Sequence, residues 1–153
     1  MPAVPRDDLA IRPATRAEVA DVLALYAQPD LDRETLPLEQ AQALFDRIQS
    51  YPDYDLMIAC TREGAIVGTY LLLIMDKLGH LGAPAAVVDD VVVAPDRQGQ
   101  GIGTAMMRDA MARARTRGCY KLMLSSNLAR ERAHRFYEKL GFTQHGVSFE
   151  VAV

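Results

Sequence analysis

Apolar and polar positions recur along this chain with a period that changes from segment to segment, and each period predicts an element. Leu9-Ala10-Ile11 is a short apolar run that predicts a first strand. Thr15-Arg16-Ala17-Glu18 matches a capping box, in which the threonine and the glutamate each satisfy an orphan N–H. Val19, Val22, Leu23 and Tyr26 follow at helical spacing, and Pro29 stops that helix. Pro37 suits the first turn of a second helix, whose stripe is Leu38, Ala41, Leu44, Phe45 and Ile48. The polar, acidic stretch between them, residues 30–36, reads as a solvated loop or as the rim of an acceptor site. Residues 56–60 and 65–75 read as two strands joined by a hairpin turn at Arg62-Glu63-Gly64. The second is apolar almost throughout, which predicts a central strand covered on both faces.

Residues 76–84 hold two glycines, His80 and Pro84 and read as a loop. Residues 85–94 form the next predicted strand, which Pro95 ends because proline has no N–H for a ladder. The following helix places Gly103, Met106, Met107, Ala110, Met111 and Ala114 on one face, the methionines as core filler. Its last turn is basic, with Arg113, Arg115 and Arg117, and Gly118 stands where a C-cap belongs. Residues 120–124 predict a strand that ends at Ser125-Ser126-Asn127. Residues 130–140 predict a last helix, with Ala133, Phe136, Tyr137 and Leu140 as its inner stripe and Gly141 as its stop. Val147, Phe149, Val151 and Val153 alternate and predict a final strand. This order makes a mixed α+β domain with helices on both faces of a twisted sheet.

Composition narrows the picture without redirecting it. The 153 residues suit one domain, expected to span residues 1–153, and half of them are apolar, enough for a sizeable core. The net charge of −3 and the lack of a lysine or arginine run argue against nucleic acid as partner. The longest apolar stretches fall short of a membrane span, and MPAVPRDDLAIRP at the start carries no hydrophobic signal core. Cys60 and Cys119 lie far apart and make no metal pattern. The expectation is a soluble cytoplasmic protein with reduced thiols and no metal.

Candidate chemistry concentrates where the strand 85–94 meets the helix after it. Gln98-Gly99-Gln100-Gly101-Ile102-Gly103-Thr104 is a glycine-rich turn that leaves bare N–H groups at a positive helix end, an arrangement suited to a phosphate or pyrophosphate. It is not a P-loop, because no lysine precedes Thr104. Nor is it a dinucleotide fingerprint, since counting from Gly99 the last glycine position holds Thr104. The string Val91-x-Val93-x-Pro95-x-x-Gln98-x-x-Gly101-x-Gly103 resembles the coenzyme A loop of the GCN5-related N-acetyltransferase (GNAT) superfamily. Asn127 followed by Ala133 and by Phe136-Tyr137-Glu138-Lys139-Leu140-Gly141-Phe142 resembles that superfamily's second motif. Gly118-Cys119-Tyr120-Lys121 with Phe-Tyr-Glu-Lys is similar to glucosamine-6-phosphate acetyltransferases. Ala133-His134-Arg135-Phe136-Tyr137 is similar to aminoalkylphosphonate and aminoglycoside acetyltransferases, so the amine stays open.

The resemblance implies a sheet that splays between its fourth and fifth strands to admit acetyl-CoA as cosubstrate. It implies pantetheine pairing along Val91, Val92 and Val93, helped by Asn127. It also implies pyrophosphate on the amides of Gln98, Gly99, Gln100, Gly101, Ile102, Gly103 and Thr104, with side chains other than the glycines mattering little. Acetyl transfer needs a base for the amine, donors for the oxyanion and an acid for the thiolate. Asp89 and Asp90 are the base candidates, directly or through a water, although strand alternation lets only one of them line a cleft. Tyr137 is the candidate acid, since an unperturbed phenol near ~10 lies above a thiol near ~8.5. His80 has a suitable pKa but sits in a loop that reads as surface. The implied activity is N-acetyl transfer to a primary amine of a small molecule in a ternary complex, with a homodimer among the expected assemblies. The alternatives are a peptide acetyltransferase and a non-catalytic acyl-CoA-binding module.

Overall fold

The computed structural model describes residues 8–153, so the expectation about a leader falls largely on residues 1–7, outside the described residues. By its internal contacts the chain divides into two compact units, one reaching to Met123 and the other Leu124–Val153.

The first unit is built on a five-stranded sheet in the order β1 (Leu9–Pro13), β2 (Tyr54–Thr61), β3 (Ile66–Met75), β4 (Ala85–Val93) and β5 (Lys121–Met123). The first four strands are antiparallel neighbours, while β5 joins β4 in parallel. A parallel neighbour needs a crossover, supplied here by α3 (Ile102–Thr116). As its apolar run predicts, β3 is central, with Val67, Thr69, Tyr70, Leu72 and Ile74 all buried.

Two layers cover the sheet. On one face α1 (Val19–Tyr26) and α2 (Leu38–Ser50) bury Val19, Val22, Ala41 and Phe45 against Leu56 and Ile58. On the other, α3 buries Ile102, Met106, Met107, Ala110 and Ala114. Gly68 of β3 permits this close seating: a Cβ there would lie 2.9 Å from Met106 Sδ and 3.1 Å from Ile102 Cγ2. Helix boundaries differ slightly from expectation. The capping-box segment forms a separate 3-10 turn, Arg16–Glu18, before α1, with the Glu18 carboxylate accepting from the Thr15 N–H at 2.8 Å. Pro37 occupies the cap position before α2 rather than its first turn. Gly118 does close α3, at φ 71° with its N–H donated to the Arg115 carbonyl.

The second unit holds α4 (Glu131–Lys139), whose apolar stripe is half-buried rather than buried. Residues 142–153 form no strand, which corrects the final strand expected from their alternation. A strand needs a ladder partner as well as a pattern, and these residues make no backbone pairing. Among the described residues, no helix is long and apolar enough to cross a membrane.

Candidate active site

The acids of β4 are placed by an irregularity. Pairing with β3 runs regularly from Met75↔Ala85 to Leu71↔Asp89 and resumes at Thr69↔Val92, so Tyr70 alone faces both Asp90 and Val91. This is a β-bulge, and Asp90 adopts φ 46°, a left-handed conformation that aspartate tolerates better than most residues. The two-residue alternation breaks at that point, and both Asp89 and Asp90 are exposed. The strict alternation on which the expectation of a single cleft-lining acid rested does not hold at this point. The Asp90 N–H donates to Asp89 Oδ1 at 2.9 Å, which holds the Asp89 carboxylate against the backbone of the bulge.

Beyond the bulge β4 has an open side. Its pairing with β5 ends at Val87↔Met123, so residues 88–93 continue without that neighbour. Of these, Val92 is buried and Val91 and Val93 are half-buried. The strand end is held by two glutamines: the Val93 carbonyl accepts from Gln28 Nε2 at 3.3 Å and from Gln98 Nε2 at 3.4 Å. Gln28 also donates to the Leu25 carbonyl at 2.8 Å, so the loop after α1 is pinned to β4.

From Val93 the chain passes through a 3-10 turn, Pro95–Arg97, into the glycine turn. Gly99 and Gly101 adopt φ 77° and 87°, and a Cβ at either would meet no heavy atom within 4 Å. The ladder of α3 opens with the Ala105 N–H donated to the Gly101 carbonyl at 3.0 Å, leaving the amides of residues 102–104 without helical partners. An open space, glycine backbone and bare amides together fit a pyrophosphate. The other side chains of this turn have structural roles of their own. Gln98 braces Val93, Gln100 is 3% exposed and donates to the Asp96 carbonyl at 3.3 Å, and Ile102 anchors the helix in the core.

Around the β4 acids lie residues that the sequence did not single out. Burial raises the Asp90 carboxyl above its ordinary value, and the charges of Asp89 and Asp32 add to the shift. Burial likewise raises the phenols of Tyr26 and Tyr54, with Asp90 acting on both and Asp89 on Tyr54. Tyr51 stands beside Tyr54, their ring centroids 6.2 Å apart. Tyr26 reads in sequence as one more stripe residue of α1, and Tyr54 as the residue before a strand; no local signal joins them to Asp89. Among the described residues the ion pairs engage Asp8, Glu18, Asp46, Asp53, Asp96, Asp109 and Glu131 but not Asp32, Asp89 or Asp90. A cavity of about 360 Å³ opens on the α3 face, lined by Asp53, Asp55, Asp109, Arg113 and Arg117. Its arginines already pair with Asp53 and Asp109. His80 stacks on Tyr120 at 4.0 Å, and Lys77 Nζ donates to the Tyr120 hydroxyl at 3.1 Å, a surface cluster at the other end of β4.

In the second unit, Tyr137 packs edge-on against Phe136 and Phe142, with centroids 5.1 and 5.6 Å away. Burial raises its phenol, so it stays protonated at neutral pH, as a proton donor must. Asn127 Oδ1 accepts from the Ala129 N–H at 2.9 Å, so its acceptor oxygen is engaged within the turn. Ser126 Oγ is buried without a partner among the described residues.

The model of the acetyltransferase (GNAT) family matches residues 20–142. Glucosamine 6-phosphate N-acetyltransferase of Trypanosoma brucei brucei is 42% identical over 82 residues, which span 54% of this chain and 54% of that protein. Aminoalkylphosphonate N-acetyltransferase of Salmonella typhimurium is 30% identical over 94% of this chain and 90% of its own length. A crystal structure of a Trypanosoma brucei acetyltransferase superposes with a TM-score of 0.83 at 28% identity, covering 95% of this chain and all of that one (100%). On the extent of the family match and the full-length likeness, the chain belongs to the GNAT acetyltransferase family.

Proposed function

We propose that this protein transfers the acetyl group of acetyl-CoA to the primary amine of a small molecule, by direct attack in a ternary complex. The observation that carries this reading is that β4 over residues 88–93, paired with β3 but past the end of its pairing with β5, runs directly into the glycine turn and the bare amide end of α3. An open strand edge offers N–H and C=O groups to the pantetheine amides. The amides of residues 98–104 receive the pyrophosphate. Backbone N–H groups at Val91 to Val93 polarise the thioester carbonyl, and the Asn127 NH₂ adds a bond to pantetheine. Asp89 or Asp90 takes the ammonium proton, directly or through a water. The amine nitrogen then attacks the carbonyl carbon, the C–S bond breaks, Tyr137 protonates the departing thiolate, and the second proton lost by the nitrogen passes through water to restore the phenol, leaving a neutral amide.

The acids and phenols around the bulge bear on the acceptor. Three carboxylates without ion-pair partners repel a phosphate and attract additional positive charge on the substrate. The two relatives named above act on amines that carry a phosphate or phosphonate, so their acceptors do not transfer directly to this chain. A panel assayed by release of free thiol from acetyl-CoA tests the reading. Polyamines and aminoglycosides are expected to turn over faster than glucosamine 6-phosphate or aminoalkylphosphonates, and Asp90→Asn should slow them. Turnover of lysine peptides alone would support the peptide alternative. Acetyl-CoA binding with no thiol release from any amine would support a non-catalytic module.

A further inference from the structure

Helix α1 ends without a glycine cap, and Gln28 completes it with a side chain. The last carbonyls of a helix need partners from outside it. Here Gln28 Nε2 donates to the Leu25 carbonyl at 2.8 Å, and the Asp32 N–H donates to the Tyr26 carbonyl at 3.2 Å. The Leu31 N–H donates to the Gln28 carbonyl at 3.0 Å, so residues 28–32 fold back on the helix end. A local cap needs nothing more. Yet the same Gln28 amide also donates to the Val93 carbonyl at 3.3 Å, 65 residues away in the chain. Gln98 donates to that carbonyl too, at 3.4 Å, so one carbonyl joins the loop after α1, the end of β4 and the glycine turn. The loop so held carries Asp30, Asp32 and Glu34 against a single arginine, Arg33. Asp32 is exposed and enters no ion pair among the described residues, and its charge acts on both Asp90 and Tyr26.

We infer that Gln28 is a positioning residue for the acceptor: by tying the loop after α1 to the end of β4, it holds Asp32 beside the β4 acids as the anchor for a second positive charge on a diamine or polyamine. This rests on the amine-transfer reading above. A nitrogen that attacks a thioester must be neutral, so its own charge is gone when the bond forms. A second ammonium on the same substrate keeps its charge throughout, and it needs a carboxylate that is not occupied with the reacting nitrogen. Asp32 supplies one from a different element than Asp89 and Asp90. A carboxylate on an untethered loop would have to be ordered each time the ligand bound. The bond to Val93 orders it beforehand, so losing that bond penalises substrates that use Asp32 and spares those that do not.

Calorimetry of spermidine and of n-butylamine on the chain loaded with coenzyme A tests this, with thiol release from acetyl-CoA recorded in parallel. Gln28→Asn shortens the side chain by a methylene, so its amide should stay at Leu25 and give up Val93. Spermidine affinity should then fall roughly 5- to 10-fold, while n-butylamine and coenzyme A affinities hardly move. Gln28→Leu removes both bonds and should shift selectivity the same way. Either change placed on Asp32→Asn should add little, because Gln28 acts through Asp32. Unchanged spermidine affinity would overturn the proposal, as would a wild-type chain with no preference for spermidine. An equal loss for both amines, or full additivity with Asp32→Asn, would also overturn it, since Gln28 would then be a helix cap and nothing more. Hydrogen exchange on the wild-type chain needs no variant: the Asp32 amide should be protected, and fast exchange there would show that the loop is not held. Spermidine bound with the expected pattern but without thiol release would remove the proposed transfer and leave the role of Gln28 standing. Turnover of amines with no dependence on Gln28 would do the reverse.

Discussion

Tyr137 shows what a single residue can and cannot declare. At sequence level it is one aromatic position in a helical stripe, and only its place in a motif separates it from Phe136 beside it. The structure adds a phenol raised by burial and held edge-on between two aromatic rings. Tyr137→Phe keeps the ring and its packing, so the fold should hold. If the phenol supplies the proton to the thiolate, turnover should fall roughly 10²- to 10⁴-fold while acetyl-CoA affinity hardly moves. Turnover and calorimetric affinity measured on the same preparation check this, and full activity would reduce Tyr137 to a packing residue. Tyr26 and Tyr54 make the opposite point. They join the β4 acids only because α1 and β2 bring them there, and no spacing within either element announces it.

At the scale of the element, the glycine turn was legible and the bulge was not. Gly99 and Gly101 stand where positive φ is required, and such positions write themselves into sequence as glycine. The bulge sits in Val-Val-Asp-Asp-Val-Val, which reads as an unbroken strand, because aspartate can take the left-handed conformation without a glycine to mark it. The turn carries its own prediction. Gly101→Ala meets open space, so it should cost only the left-handed strain of about 1–2 kcal/mol and preserve acetyl-CoA binding. Gly101→Asp carries the same strain and adds a negative charge where pyrophosphate should lie, so binding should be lost while the fold survives. Calorimetry on both variants separates the two effects; unchanged affinity in Gly101→Asp would remove the pyrophosphate from this turn.

For the molecule as a whole, the Arg12–Glu18 pair is an identifiable contributor to stability in acid. Arg12 of β1 clamps the Glu18 carboxylate through two bonds of 2.9 and 2.6 Å, joining the sheet to the start of the helical layer. That guanidinium, with the Thr15 N–H, holds Glu18 down from 4.5 to about 2. A depressed carboxyl binds protons more weakly in the folded state than in the unfolded one, so its contribution is complete above 4.5 and disappears as pH falls toward 2. The pair is partly solvated, and screening limits the effect to about 1 kcal/mol. Glu18→Gln should therefore lower stability to urea at pH 7, and the gap from wild type should close by pH 2. A gap that stays constant across that range would mean the clamp acts by packing and not by charge.

The sequence by itself determined the kinds of element, their order and the two motifs that point to the family, because helical and strand periods, proline stops and glycine caps are local properties. Thr15 with Glu18, Gly118 after the basic turn and the apolar run of β3 could each be read from their neighbours. Only the tertiary structure decided where ladders begin and end. The parting of β4 from β5 after Val87, the bulge that exposes both Asp89 and Asp90, and the grouping of Tyr26, Asp32 and Tyr54 around them depend on pairings between residues far apart in the chain. The segment with Val147 and Phe149 marks the same boundary: its alternation specifies a strand, but a strand exists only where a second edge meets it.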